Sequence, residues 1–98
     1  MYTIKDLEKR WGPLTFAMFL RSWRLCDEYS QIEYAKKLGI SKANLCDIEK
    51  GRKHVSPERA AKIANKLDLP ESFLIQIALQ DILRDAKLNF KVEIKKAA

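Results

Sequence analysis

Hydrophobic residues recur at helical spacing through most of the chain, and glycine or proline marks the main breaks. A short N-terminal helix is predicted from Thr3 to Trp11, before the Gly12-Pro13 break. Further helices are predicted at about residues 15–27, 30–39, 41–51, 57–67 and 70–82. Their expected core positions are apolar and mostly three or four residues apart: Phe16, Leu20, Trp23, Ile32, Ala35, Leu38, Leu45, Ile48, Ala60, Ile63, Ala64, Leu67, Phe73, Leu74, Ile77, Ala78 and Ile82.

The last stretch of the chain changes from a helical to an alternating pattern. Apolar residues from Leu88 to Ile94 alternate with polar residues from Asn89 to Lys95, which predicts a half-buried strand. A single strand needs a partner, and the rest of the sequence offers no other convincing one. We therefore expect it to pair with its copy in a second chain, with the apolar helix before it packed beneath. The expected dimerisation residues are Phe73, Ile77, Leu88, Phe90, Val92 and Ile94.

Residues 30–52 contain two short amphipathic helical patterns joined by a tight turn. Gly39 ends the first helix, because glycine adopts the left-handed backbone conformation without steric cost. Ser41 is placed to cap the second helix, whose inner positions are a leucine and an isoleucine. The outer face carries mostly short or polar side chains: Lys42, Ala43, Cys46, Asp47 and Lys50. A helix presented in this way fits the major groove of DNA.

Composition and charge narrow the class of protein. The 98 residues form one small domain, and no apolar run is long enough to cross a bilayer. The start of the sequence contains acidic residues and no apolar core, so neither a secretion signal nor a transit peptide is predicted. The net charge of +6 favours a polyanionic partner, and six basic residues fall between positions 36 and 53 against two acidic ones.

The sequence contains no constellation for catalysis or metal binding. Cys26, Cys46 and the single His54 fit no zinc spacing, and there is no glycine-rich phosphate loop. We therefore expect a protein that is not an enzyme and has no cofactor or metal. The cysteines are interpreted as small packing residues in a reducing cytoplasm, with a redox switch as the alternative.

The residues S-Q-x-x-Y-A-x-x-L-G-I-S-x-x-x-L-x-x-I-E-x-G-R resemble the Cro/CI type of lambda-repressor-like (XRE-family) helix-turn-helix domains, over about residues 16–69. The resemblance implies an all-α, five-helix lambda-repressor-like domain, to which the sequence adds the N-terminal helix and the C-terminal strand paired across a dimer. The expected division is an N-terminal extension (1–12), a helix-turn-helix DNA-binding domain (13–69), and a dimerisation helix with the strand (70–98). A helical bundle without a nucleic-acid role is the alternative, because such turns are common between helices.

The resemblance also implies roles for individual residues. Gln31 matches the family glutamine whose amide touches a DNA phosphate and braces the start of the recognition helix. Lys42, Ala43 and Asp47 match positions that face base edges, where they would meet guanine, a thymine methyl group and cytosine N4. Asp47 departs from the amides often found in phage repressors, and the alternative is that it tethers Lys50 or Lys42.

Further residues complete the predicted site. Asn44 is placed for a phosphate or a neighbouring base, or else supports the helix cap. Arg24 and Glu49 match an ion pair that ties the first helix to the recognition helix in the family, an architectural role. Basic residues at the end of the recognition helix and in the following loop are phosphate candidates, with His54 among them. The full predicted DNA-binding set is Gln31, Ser41, Lys42, Ala43, Asn44, Asp47, Lys50, Arg52 and Lys53.

The predicted function is a double-stranded DNA-binding transcriptional regulator from a bacterium or phage, acting in the cytoplasm as a homodimer that represses by occupying a palindromic operator. The alternative is the antitoxin of a toxin-antitoxin operon, which binds its own promoter and a cognate toxin, with residues 1–12 as the toxin-binding piece. A third interpretation is a helical protein-interaction module that has kept the fold without reading DNA.

Overall fold

A computed structural model of the chain describes residues 14–95 and 97. The described residues form α1 (Phe16–Cys26), α2 (Gln31–Leu38), α3 (Lys42–Glu49), α4 (Pro57–Lys66) and α5 (Glu71–Asp85), with no β-strand among them. The predicted all-α class with five helices after residue 13 is confirmed. The short helix predicted from Thr3 to Trp11 lies outside the described residues. None of the helices in residues 14–95 is long and apolar enough to span a membrane.

Hydroxyl side chains begin four of the helices. The side chains of Thr15, Ser30, Ser41 and Ser56 each accept a hydrogen bond from the backbone N–H three residues later. At α2 the bond is reciprocal, because Glu33 also accepts from the Ser30 N–H at 3.2 Å. These bonds satisfy backbone donors that a helix start otherwise leaves unpaired. The predicted caps are therefore present at both helices of the turn motif.

All five helices end with the same backbone hydrogen bond, which runs from an N–H to the carbonyl five residues earlier. The bonds join Tyr29 to Arg24, Ile40 to Ala35, Arg52 to Asp47, Leu69 to Ala64, and Leu88 to Leu83. This geometry places the residue just before each donor in the left-handed conformation. Glycine occupies that position after α2 and α3, with φ of 72° and 73°. The other three positions carry side chains: Glu28, Asp68 and Lys87.

The core lies where the five helices meet. α1 packs against α3 and α5, α2 packs against α3 and α4, and the most extensive contact joins α4 to α5. The largest fully buried side chains come from every helix: Leu20, Tyr34, Leu45, Ile63 and Leu74. Because α3 is held from both sides by α1 and α2, its inner face is fixed and its outer face is left to the solvent.

Several predicted core or packing positions are wrong. Ile32 is 54% exposed, because Tyr34 rather than Ile32 supplies the first buried side chain of α2. Trp23 is 38% exposed and covers the core only with one face, which stacks on Phe19 at 5.5 Å between ring centroids. Cys26, at the last turn of α1, is exposed, so it is not a packing residue, whereas Cys46 is half-buried.

The predicted C-terminal strand is not formed within the single chain. Residues 88–95 have no strand beside them; instead the Gln80 carboxamide on α5 donates to the Phe90 carbonyl at 2.7 Å and accepts from the Val92 N–H at 2.9 Å. Ile77 is only 4% exposed and belongs to the core of its own chain, so its part in dimerisation stays a prediction. Phe73 is half-buried, with its ring edge-on to Phe19.

Candidate nucleic-acid interface

The outer face of α3 is exposed at its first turn and just past its last turn. Leu45 and Ile48 lie inward, at 0% and 2% exposure, and anchor the helix to the core. Lys42 and Ala43, at its first turn, are exposed, and Lys50 is exposed just past its last turn. The Ser41 hydroxyl accepts from the backbone N–H of the third helical residue at 3.1 Å, so this serine serves as the cap of α3. The helix therefore presents its N-terminal half, the part that reaches base edges when such a helix enters a groove.

A charged cluster lies beside the outer face of α3. Asp47 is half-buried, and its carboxylate contacts Arg52 at 3.5 Å and Lys53 at 3.7 Å. The Lys53 ammonium also donates to the Asn44 side-chain carbonyl at 3.2 Å. The alternative that Asp47 tethers Lys42 or Lys50 is wrong, because the left-handed turn at residue 51 brings the two loop cations back alongside α3.

The contacts with Asp47 and Asn44 hold two loop cations beside α3. Arg52 and Lys53 remain 64% and 55% exposed at their side chains, so their remaining donors face the solvent. Asn44 is half-buried and is occupied by Lys53, which joins the helix to the loop rather than supporting the cap through its side chain. The result is a rim of positive charge next to the two exposed residues at the start of α3.

A buried ion pair links α1 to the end of α3. The Arg24 guanidinium donates to both Glu49 carboxylate oxygens, at 2.8 and 2.9 Å, and to the Tyr29 carbonyl at 3.0 Å. The side chains are only 11% and 3% exposed. Hydrogen bonding to Glu49 raises the pKa of Arg24, against the opposing effect of burial. The sequence-predicted partners are thus in direct contact.

Gln31 joins this ion pair from the first turn of α2. Its amide donates to Glu49 at 3.3 Å, so one side chain connects the start of α2 to the end of the recognition helix. A primary amide has two N–H donors and an acceptor. With one donor used inside the protein, the other donor of the half-buried Gln31 is left for a ligand such as a phosphate oxygen.

Three polar contacts of this region were missed by the sequence analysis. His54, in the loop after α3, pairs with Asp85 at the end of α5, and both side chains are largely exposed. Asp81 on α5 accepts from the Phe16 N–H at the start of α1 at 2.9 Å and pairs with Arg84 at 3.0 Å. Burial raises the pKa of Asp81 despite these bonds. The partners of His54 and Phe16 lie 31 and 65 residues away, and no local pattern predicts such contacts.

The fold and the exposed face of α3 define a helix-turn-helix protein, the class of DNA-binding domain in which the second helix of the motif enters the major groove. The profile of the Helix-turn-helix family matches residues 20–74, more than half of the chain. The chain belongs to this family, in its XRE, Cro/CI-like form, whose members are DNA-binding transcription regulators. Comparisons with curated proteins and with solved structures give no match.

Proposed function

We propose that the protein is a sequence-specific double-stranded DNA-binding regulator, which acts as a dimer on a palindromic operator and represses by occupying it. The observation that carries this proposal is the presentation of α3. Its inner face is buried in the core, its outer face begins with the exposed Lys42 and Ala43, and exposed cations stand beside it.

The exposed start of α3 supplies the base-reading positions. Lys42 can donate to the O6 and N7 acceptors of guanine, and the methyl side chain of Ala43 can contact a thymine methyl group. Asp47 is the remaining candidate, since an aspartate can accept from cytosine N4. Its carboxylate already holds two cations at 3.5 and 3.7 Å, so reading a cytosine would require it to share or release them.

The phosphate contacts would come from both sides of α3. Arg52 and Lys53 lie at its C-terminal side, with Lys50 exposed just before them. Gln31 lies on the other side, at the start of α2, where the free N–H of its amide and the helix N-terminus both favour an anion. Phosphate contacts on two sides would orient the helix in the groove.

A dimer would let two copies of α3 read one site. In a twofold complex the two recognition helices must lie about one DNA turn apart, roughly 34 Å, to enter the same face of a palindrome. The half-buried Phe73 and the exposed Leu88 and Phe90, at 48% and 67%, leave apolar surface on α5 and the tail for such a contact.

The test of the proposal is a selection of binding sites from random duplexes, for the full chain and for Lys42→Ala. The selected sites of the wild-type chain should share an inverted repeat, and Lys42→Ala should lose affinity by about 1–3 kcal/mol with relaxed preference at one symmetric position. Identical selected sites for both proteins would remove Lys42 from the base readers, and no selected site at all would refute sequence-specific reading.

Salt dependence separates phosphate contacts from base contacts. Arg52→Ala and Lys53→Ala should each lower affinity about equally for operator and random DNA and reduce the slope of log K against log salt by about 0.9 per lost phosphate. The matched control is Lys66→Ala, an exposed lysine at the end of α4, outside the motif. Relaxed sequence preference with an unchanged slope would instead assign these two residues to base reading.

A further inference from the structure

The contact between Gln80 and the tail resembles one rung of a β-ladder. The Gln80 carboxamide donates to the Phe90 carbonyl and accepts from the Val92 N–H, at 2.7 and 2.9 Å. A residue of a neighbouring strand satisfies two backbone groups in the same way. Along the same segment, Val92 and Ile94 are half-buried and Lys91, Glu93 and Lys95 are exposed. The α5 side chain therefore makes one pair of backbone contacts on one edge of a segment whose residues 91–95 alternate between exposed and half-buried.

The opposite edge of this segment is free among the described residues. In an extended chain, the backbone groups of successive residues point to opposite edges. Because the bonded Phe90 and Val92 groups face α5, those of Lys91 and Glu93 face outward, and no hydrogen bond in the described part of the chain uses them. An unpaired edge of this kind is a template for an added strand.

We propose that the outward edge of residues 89–95 pairs antiparallel with the same edge of a second copy of this chain, with the twofold axis at Val92. The proposal rests on the dimer proposed above and specifies its interface. Each strand would then have a partner strand on its outward edge, while Gln80 satisfies the Phe90 carbonyl and the Val92 N–H on the other.

Opposite charges and apolar pairing favour this register over an axis at either neighbouring residue. With the axis at Val92, Lys91 lies opposite Glu93 of the second copy twice, and Phe90 lies opposite Ile94 of the second copy twice. Moving the axis to Lys91 or to Glu93 would place like charges directly opposite each other, which is destabilising. The chosen register would also cover Phe90, whose side chain is 67% exposed in the single chain.

Charge reversal tests the register in the full-length protein. Lys91→Glu and Glu93→Lys each turn two attractive pairs into two repulsive ones, so each should weaken the dimer about tenfold or more in analytical ultracentrifugation. Both substitutions in one chain restore the opposite charges and should return the dissociation constant to within about threefold of wild type. The matched control is Lys95→Glu, the same change in the same tail, which faces Asn89 of the second copy and should have the smaller effect.

The outcomes separate the inference from the proposed function. Rescue by the double substitution supports it, as does a tighter complex when the two single variants are mixed. The inference would be overturned if Lys91→Glu and Glu93→Lys dimerised like wild type, or if the double substitution were as weak as the single ones. An effect of Lys95→Glu larger than that of Lys91→Glu would also overturn it. A wild-type chain that binds operator DNA as a monomer at every concentration overturns the interface and the dimer but leaves DNA reading intact. A dimer that responds as expected but binds no duplex DNA refutes the proposed function alone.

Discussion

Removal of the Glu49 carboxylate should destabilise the fold strongly. The carboxylate receives three hydrogen bonds, two from Arg24 at 2.8 and 2.9 Å and one from Gln31 at 3.3 Å. In Glu49→Ala the Arg24 guanidinium stays charged at a site where its side chain is only 11% exposed, with the Tyr29 carbonyl as its remaining partner. Breaking a buried pair from one side costs about 3–5 kcal/mol. For a domain of this size that loss corresponds to roughly 12–40 °C in melting temperature.

Urea unfolding of five proteins would measure the effect. Glu49→Ala, Arg24→Ala and the double variant form a double-mutant cycle with wild type, and Glu58→Ala, an exposed carboxylate in the first turn of α4, is the matched control. The control should lie within about 0.5 kcal/mol of wild type. The double variant should lose less than the sum of the two single variants, because it leaves neither charge unpaired.

Two results would refute this reasoning. A free energy of unfolding for Glu49→Ala within about 0.5 kcal/mol of wild type would mean that the pair contributes no more than a surface contact. Additive losses in the cycle would mean that Arg24 and Glu49 act independently. Their contact would then contribute no coupling energy to the fold.

Three further predictions follow from single residues. Tyr34 is fully buried and its hydroxyl has no hydrogen-bond partner among the described residues, so Tyr34→Phe should raise the free energy of unfolding by about 1 kcal/mol in urea titrations; a loss of that size would mean that the hydroxyl is bonded. Glu28 has a φ of 59°, so Glu28→Gly should stabilise the fold by about 1 kcal/mol in thermal unfolding, and a lower melting temperature would contradict the left-handed helix end. Hydrogen bonding to Ser30 lowers the pKa of Glu33, so its stabilising contribution is present above the unfolded-state pKa and is lost as the pH falls through the folded-state pKa. Glu33→Gln should therefore reduce the fall in the free energy of unfolding measured between pH 6 and about 2. An unchanged pH dependence would refute the capping bond.

The helices and the turn motif could be predicted from the sequence because their determinants are local. Capping hydroxyls, a glycine at the left-handed turn and apolar residues at helical spacing all act within a few residues of one another. The contact of Arg24 with Glu49 came instead from a family resemblance, since no local rule joins residues 25 positions apart. Ile32 shows the limit of periodicity. The apolar spacing of α2 predicts that it is buried, but it is exposed, and Tyr34 occupies the core instead.

The tail and the loop could not be predicted for a different reason. The alternating pattern of residues 88–95 predicts a half-buried strand, but a side chain of α5 takes the place of the expected strand, and Leu88 and Phe90 stay exposed. The partners of Asp47 depend on how the chain turns at Gly51, which decides whether Lys50 or the next two cations come close. Such choices are made by tertiary geometry, and the sequence pattern alone leaves them open.

The two faces of α3 have different freedom to change during evolution. A substitution at Glu49 alone would leave an unpaired charge in the interior, so this position changes at low cost only if Arg24 changes with it. Lys42 and Ala43 have their side chains in solvent and can be exchanged at little cost to the fold. One eight-residue helix thus joins an inner face that is costly to change to an outer face that can be substituted. Under the base-reading role proposed for Lys42 and Ala43, a lineage carrying this domain could acquire a new target sequence through a few surface substitutions, without first gaining stability to tolerate them.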